Sequence, residues 1–222
     1  MDWLALWLSV ELAGATILVL LPFGIWLARM LAFRGFAGRG FVEALVALPL
    51  VLPPTVVGFY LLVAFGSHSW FGQAFESLFG QSLAFSFEGL VLASVLVNLP
   101  FAVQPIQRAF EAIPRDVREA AACSGMSPSK VAMRIELPLA WPGIATAVVL
   151  TFAHTIGEFG VVLMIGGSIP GETRTIAIAI YDRVQAFDDS SAAMMSAVLL
   201  LMALLALGLT NTLARRIGRR DG

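Results

Sequence analysis

His154 and Glu158 are the residues of this chain best suited to holding or moving a proton. They lie four residues apart in a run that carries no other ionisable side chain after Glu136, and on a helix residues at this spacing share one face. If that run crosses a membrane, a carboxylate near its centre costs roughly 2.5–3.5 kcal/mol and must face protein or water. The pair therefore indicates a gate or a packing contact. A proton relay and a carboxylate solvated near the membrane surface are the alternatives.

Two consecutive prolines and a threonine mark a second candidate site. Pro53, Pro54 and Thr55 interrupt a run of 32 uncharged residues, and a proline inside a helix costs about 3 kcal/mol because it removes a hydrogen bond and clashes with the preceding turn. A helix that restarts near Thr55 has a partial positive charge at its N-terminus, which attracts an anion. Together with the hydroxyl of Thr151, these residues predict a path through a membrane. A kink that only shapes packing is the alternative.

The composition indicates which elements position these residues. Of 222 residues, 59% are hydrophobic and 13% are charged, whereas soluble domains average roughly 45–50% and about 25%. Five runs of 17 to 32 residues lack charge, and about 20 apolar residues cross a bilayer as a helix. We therefore predict an all-α membrane protein, not a soluble enzyme or a disordered chain. Its transmembrane domain, 8–213, has five spans near 8–30, 42–65, 88–110, 138–165 and 191–213.

The basic residues predict the orientation of these spans. Twelve of the 14 lie in the first loop, the third loop and the C-terminal tail, 214–222, and Lys and Arg are enriched in cytoplasmic segments. This distribution places the N-terminus outside and the C-terminus in the cytoplasm. The short apolar stretch 175–181 is interpreted as interfacial or re-entrant, not as a span.

The chain lacks the motifs of an enzyme. Its one lysine, Lys130, is not preceded by the glycines of a phosphate-binding loop, so ATP hydrolysis by that mechanism is excluded. No nucleophile turn of the G-x-S-x-G type is present. A single cysteine, Cys123, excludes an intrachain disulfide and a multi-cysteine metal site, and we expect no cofactor. The net charge of −1 predicts no nucleic-acid partner.

The cytoplasmic loop, 111–137, predicts a surface for another protein. A short helix is expected from Pro114 to Gly125, where glycine suits a left-handed end, and a second is expected from Ser127-Pro128. The first helix has a face of small side chains, formed by Val117, Ala120, Ala121 and Ser124. Small side chains allow close approach by a partner, whereas interfacial helices usually carry Trp, Phe or Leu. An amphipathic loop resting on lipid is the alternative.

The spacing within this loop resembles a known motif. Glu119-Ala120-Ala121, Gly125 and Ile135-x-Leu137-Pro138 match the EAA loop of the permease subunits of ABC importers. The stretches LPLVLPPTVVG at 48–58, GEFG at 157–160 and IPGETRT at 169–175 look like the molybdate branch of that family. The resemblance implies a type I importer permease fold in a bacterial inner membrane, and molybdate uptake driven by a separate ATPase subunit. Sulfate or tungstate uptake, or a proton-coupled secondary transporter, are the alternatives.

The resemblance also implies partners and the residues that meet them. The partners would be a second copy of the chain, two ATP-binding subunits, one periplasmic or extracellular molybdate-binding protein, and membrane lipid. The contact with the ATPase would involve Arg115, Arg118, Glu119, Ala120, Ala121, Ser124 and Gly125. In the outer loop, Glu172 and Arg174 are candidate contacts for the binding protein, with an ordinary exposed turn as the alternative.

Overall fold

A computed structural model describes the backbone of residues 1–218 and the side chains of residues 1–208. Within these residues the fold consists of helices, and no strand occurs. The side chains of the predicted basic tail, 214–222, lie outside the described residues. The helices are α1 Trp3–Phe33, α2 Arg39–Val51, α3 Pro54–Phe65, α4 Trp70–Phe79, α5 Phe87–Glu111, α6 Arg115–Cys123, α7 Pro128–Val131, α8 Leu137–Gly157, α9 Gly160–Gly166, α10 Ile176–Gln185 and α11 Asp189–Gly218. A π-helical turn, Ala132–Glu136, joins α7 to α8.

Four helical segments of the described chain are long and apolar enough to cross a membrane. They are α1, α5, the continuous segment Pro128–Gly157 and the Asp189–Gly208 part of α11. Helices α2 and α3 are long and apolar enough to cross a membrane only when they are taken together. They are bent by 111° at the break between them. The five spans predicted from charge-free runs are therefore present if the bent pair counts as one.

The fourth predicted span, 138–165, is interrupted in the structure. Helix α8 ends at Gly157, and α9 begins at Gly160. Glu158 has extended backbone angles, φ −69° and ψ 127°, and its Oε1 accepts a hydrogen bond of 2.9 Å from the Val161 N–H. The carboxylate thus satisfies a backbone donor that the first turn of α9 would otherwise leave unpaired.

The short apolar stretch at 175–181 forms part of α10. This helix has ten residues, so it is about 15 Å long at 1.5 Å per residue. That length is half of a hydrocarbon core of about 30 Å. The expectation that this stretch does not cross the membrane agrees with its length.

Helices α1, α5 and α8 pack against one another at the centre of the fold, and α3 packs against α9. Leu31, Ile106 and Phe110 are fully buried at one end of this centre. Leu12, Leu90 and Ile165 are fully buried in a separate cluster. Large apolar side chains remain exposed along α1 and α11, which suits helices that face lipid tails; they include Trp7, Leu18, Trp26, Leu200, Leu201 and Leu204.

Candidate functional site

The predicted helix–glycine–helix unit is present at the end of α5. Helix α6 begins at Arg115 after Pro114, and it carries Asp116 in its first turn, where an acidic side chain favours the helix dipole. Gly125 follows the helix with φ +77°, a left-handed conformation that L side chains adopt only under strain. Helix α7 then begins at Pro128. Local residue types therefore account for the shape of this unit.

One side of α6 is open to solvent, and the other lies against the protein. Of the residues predicted to contact the ATPase, Arg115, Glu119, Ala120, Ser124 and Gly125 are exposed. Ala121 is buried, so its side chain does not belong to the exposed surface on which the sequence placed it. Helix α6 packs against the π-helical turn and α7. Ala121 lies on the side of α6 that makes this contact, so its side chain is covered.

Arg118 also turns towards the protein and away from the exposed side of α6. Its Nε donates a 2.9 Å hydrogen bond to Oε1 of Glu136, and the Nε of Arg29 donates a 2.6 Å hydrogen bond to Oε2 of the same carboxylate. Glu136 is fully buried, while each arginine side chain is about one-third exposed. The Arg118 guanidinium carbon lies 3.6 Å from the centre of the Phe33 ring. Arg118 is therefore engaged within the chain by these contacts, and its predicted contact with the ATPase stays a prediction.

Glu136 and Arg29 were not predicted as site residues. Arg29 is the first charge after a 17-residue uncharged run, and Glu136 stands between Ile135 and Leu137 at the start of another. An isolated carboxylate in this position is a signal for a buried ion pair. Its partners Arg29 and Arg118 lie 107 and 18 residues away in sequence, so no helical spacing identifies them. We call Arg29, Glu136 and Arg118 the arginine–glutamate clamp.

The two breaks in the membrane helices lie against each other. A Cβ on Gly160 would stand 2.8 Å from the Cβ of Pro54 and 3.8 Å from the Glu158 Oε1. Pro53, Pro54 and Thr55 are exposed in the single chain. The structure therefore brings the predicted proline break and Glu158 together, at the point where α3 and α9 both begin.

His154 is held by a chain of polar contacts on α5 and α8. Its Nδ1 lies 3.2 Å from Oδ1 of Asn98, and the Asn98 amide donates a 3.1 Å hydrogen bond to the Thr155 hydroxyl. The Phe101 ring stacks on the imidazole with centres 4.1 Å apart. Thr151, another predicted path residue, is buried, and its carbonyl accepts the Thr155 hydroxyl at 2.8 Å.

The predicted pair of His154 and Glu158 is close without forming a direct hydrogen bond. The Nε2 of His154 and the Oε2 of Glu158 are 3.8 Å apart, which is longer than a hydrogen bond. The other Glu158 oxygen is occupied by the N–H of Val161. The spacing in the sequence thus predicted that His154 and Glu158 are neighbours. It did not predict the break between α8 and α9, on which the capping role of Glu158 depends.

Glu172 and Arg174, the two residues predicted to meet a binding protein, have different surroundings in the loop between α9 and α10. Glu172 is exposed, and it lines a cavity of about 660 Å³ together with Glu11 and Glu88. Arg174 instead donates a 2.9 Å hydrogen bond to Asp2. Asp2 in turn accepts the Ala5 N–H and caps α1. Arg174 is therefore engaged with the start of α1, and its predicted contact with a binding protein stays a prediction.

Known proteins resemble this chain along nearly its whole length. Residues 21–219 match the family model described as binding-protein-dependent transport system inner membrane component. The molybdenum transport system permease protein ModB of Azotobacter vinelandii is 48% identical over 93% of this chain and 91% of its own. ModB of Escherichia coli strain K12 is 37% identical over 100% of this chain and 97% of its own.

The solved structures support the same fold. A chain in the crystal structure of a bacterial alginate ABC transporter, in complex with an alginate pentasaccharide-bound periplasmic protein, superimposes with a TM-score of 0.75. Its sequence identity is 21%, with coverage of 96% of this chain and 78% of that one. The helices described above are therefore arranged as in that transporter chain. By sequence and by fold, the chain belongs to the family of binding-protein-dependent transport system inner membrane components.

Proposed function

We propose that this chain is the membrane-spanning permease subunit of a molybdate importer in a bacterial inner membrane. Its similarity to two ModB proteins, each over more than nine-tenths of this chain, carries this proposal. The chain would form the path for the anion, while a separate subunit hydrolyses ATP. It would not itself be an enzyme, since its sequence has no phosphate-binding loop.

We further propose that α6 docks on the ATPase subunit. The exposed side of α6 supports this, because Arg115 and Glu119 offer charges and Ala120 allows close approach. A shallow depression of about 230 Å³ lies between Arg115, Arg118, Glu119 and Ala122. The complete importer would contain two copies of this chain, two ATPase subunits and one molybdate-binding protein. The binding protein would approach the outer loop that carries Glu172, on the side opposite α6.

The charge distribution supports a path that binds its anion weakly. Thr55 and the first turn of α3 offer polar groups and a helix dipole beside the two breaks, and the segments that contain the breaks, 44–75 and 137–171, carry no lysine or arginine. A cavity of about 420 Å³ between α5 and α8 includes Gln104, Arg108 and Thr146 in its lining. A tetrahedral dianion passing along such groups would meet few charge-assisted hydrogen bonds, which are the strong ones. We infer that selectivity resides mainly in the binding protein.

Reconstitution tests this function and its alternatives together. Vesicles containing the chain, its ATPase subunits and the binding protein should accumulate labelled molybdate when ATP is supplied. Vesicles with an inactive ATPase should not. Uptake by the chain alone under a proton gradient would instead support a secondary transporter that uses His154 and Glu158. Competition with sulfate and tungstate would determine which dianion is carried.

A further inference from the structure

We propose that Glu136 is a positioning residue that transmits the movement of α6 to α1, through the arginine–glutamate clamp. This inference rests on the proposed function, because it assumes that an ATPase subunit moves α6. It assigns a role to Glu136 and Arg29, which lie outside the exposed surface of α6.

The clamp lies where the ends of three membrane helices meet α6. Glu136 is the last residue of the π-helical turn that leads into α8, and Arg29 lies in the last two turns of α1. Arg118 covers the Phe33 ring of α1, and that ring packs on Phe110 of α5 with centres 5.6 Å apart. One side chain of α6 therefore contacts α1 directly and reaches α5 and α8 through single intermediates.

The clamp connects α6 to α1, which the backbone does not do directly. Helix α6 continues into α8 through α7 and the π-helical turn, so its movement reaches α8 along the backbone. Helix α1 ends at Phe33, far from α6 in sequence, and can follow α6 only through side-chain contacts. The Arg118–Glu136–Arg29 hydrogen bonds provide such contacts beside the Arg118–Phe33 stacking, with both arginines donating through Nε to separate carboxylate oxygens.

The local geometry indicates that this arrangement is specific. A carboxylate with no exposed surface is strongly disfavoured unless it is paired, and removing one partner of such a pair is costly. The π-helical turn inserts one extra residue before α8. Without this insertion, the residues before the turn would be rotated by about 100° around the helix axis relative to α8. Such turns are rare and frequently occur at functional sites. Here the turn directs Glu136 between α1 and α6.

Two substitutions test the inference in the complete transporter reconstituted in vesicles. Arg29→Gln removes the ion pair between Glu136 and α1 and leaves the Arg118–Glu136 pair and the Arg118–Phe33 contact in place. Glu136→Gln removes both ion pairs and leaves a single uncharged acceptor oxygen. We expect each variant to hydrolyse ATP and to take up about tenfold less molybdate per ATP than the unmodified protein, within the usual range of coupling between sites. Arg29→Lys, which keeps a cation at this position, should recover part of the ratio.

A matched control distinguishes loss of transmission from general damage. Glu43 accepts hydrogen bonds from Arg39 and Gln107 on α2 and α5 and shares no described hydrogen bond or ion pair with the clamp, so Glu43→Gln should keep the original ratio. An unchanged ratio in Arg29→Gln, or an equal fall in Glu43→Gln, would overturn the inference. If Glu136→Gln does not assemble, Arg29→Gln decides, since it retains a paired carboxylate. ATP-independent uptake by the unmodified protein would instead refute the proposed function.

Discussion

The carboxylate of Glu158 has two differently occupied oxygens. One accepts the Val161 N–H at 2.9 Å, and the other lies 3.8 Å from the imidazole of His154. His154 is also held by Asn98 and by the Phe101 ring. A proton relay would need the two side chains in direct contact or joined through a water, so the geometry favours a structural or gating role for Glu158.

Two substitutions at Glu158 separate its capping role from its charge. Glu158→Gln keeps an oxygen for the Val161 N–H, so assembly and thermal stability should remain close to those of the original protein while uptake falls. Glu158→Ala also removes the cap, and the free energy of unfolding should drop by about 1 kcal/mol. Uptake assays, ATPase assays and thermal melts of the purified transporter measure these effects. Unchanged uptake and basal ATPase activity in Glu158→Gln would refute a gating role.

At the scale of helices, the contact between two breaks is the main feature of the membrane region. The break before Pro54 was predictable, because consecutive prolines have no N–H to continue a helix. The break after Gly157 was not predicted, because the surrounding run is uniformly apolar and its interruption depends on a cap from Glu158. Helix α6 was predictable for the opposite reason, since Pro114, Gly125 and Pro128 are local signals.

Leucine at either of two glycines tests whether the contact between the breaks matters. Gly160→Leu places a side chain against Pro54, where a Cβ alone would stand at 2.8 Å, and it should force α3 and α9 apart. Gly157→Leu lies in the same break with no atom within 4 Å of its Cβ. We expect loss of molybdate uptake only in the first variant, measured at equal membrane content. Equal activity of the two variants would contradict a role for the contact.

At the scale of the whole molecule, composition was sufficient to predict the architecture. Runs without charge located the membrane helices because burying a charge in lipid is costly. The clamp could not be predicted in this way, since Arg29 and Glu136 are 107 residues apart in sequence and meet only in the folded chain. The charge bias predicts an inside position for α6 and an outside position for α4.

Thiol labelling tests this orientation. Cys123 is exposed on α6 and is the single cysteine of the chain, so a membrane-impermeant reagent should leave it unlabelled in intact cells. The same reagent should label it in inverted vesicles that lack the ATPase subunit. A Cys123→Ser, His68→Cys variant moves the thiol to the exposed segment before α4 and should reverse the pattern. Labelling of Cys123 from outside would invert the proposed topology.

Crosslinking from α6 tests the central claim that this helix is the contact with the ATPase. A photoreactive residue is placed at Glu119 or Ala122, which are exposed, and at Glu76, which is exposed on α4. In the complete transporter, we expect Glu119 and Ala122 to capture the ATPase subunit and Glu76 to capture none. Failure of both α6 positions to capture it, with assembly intact, would contradict the account.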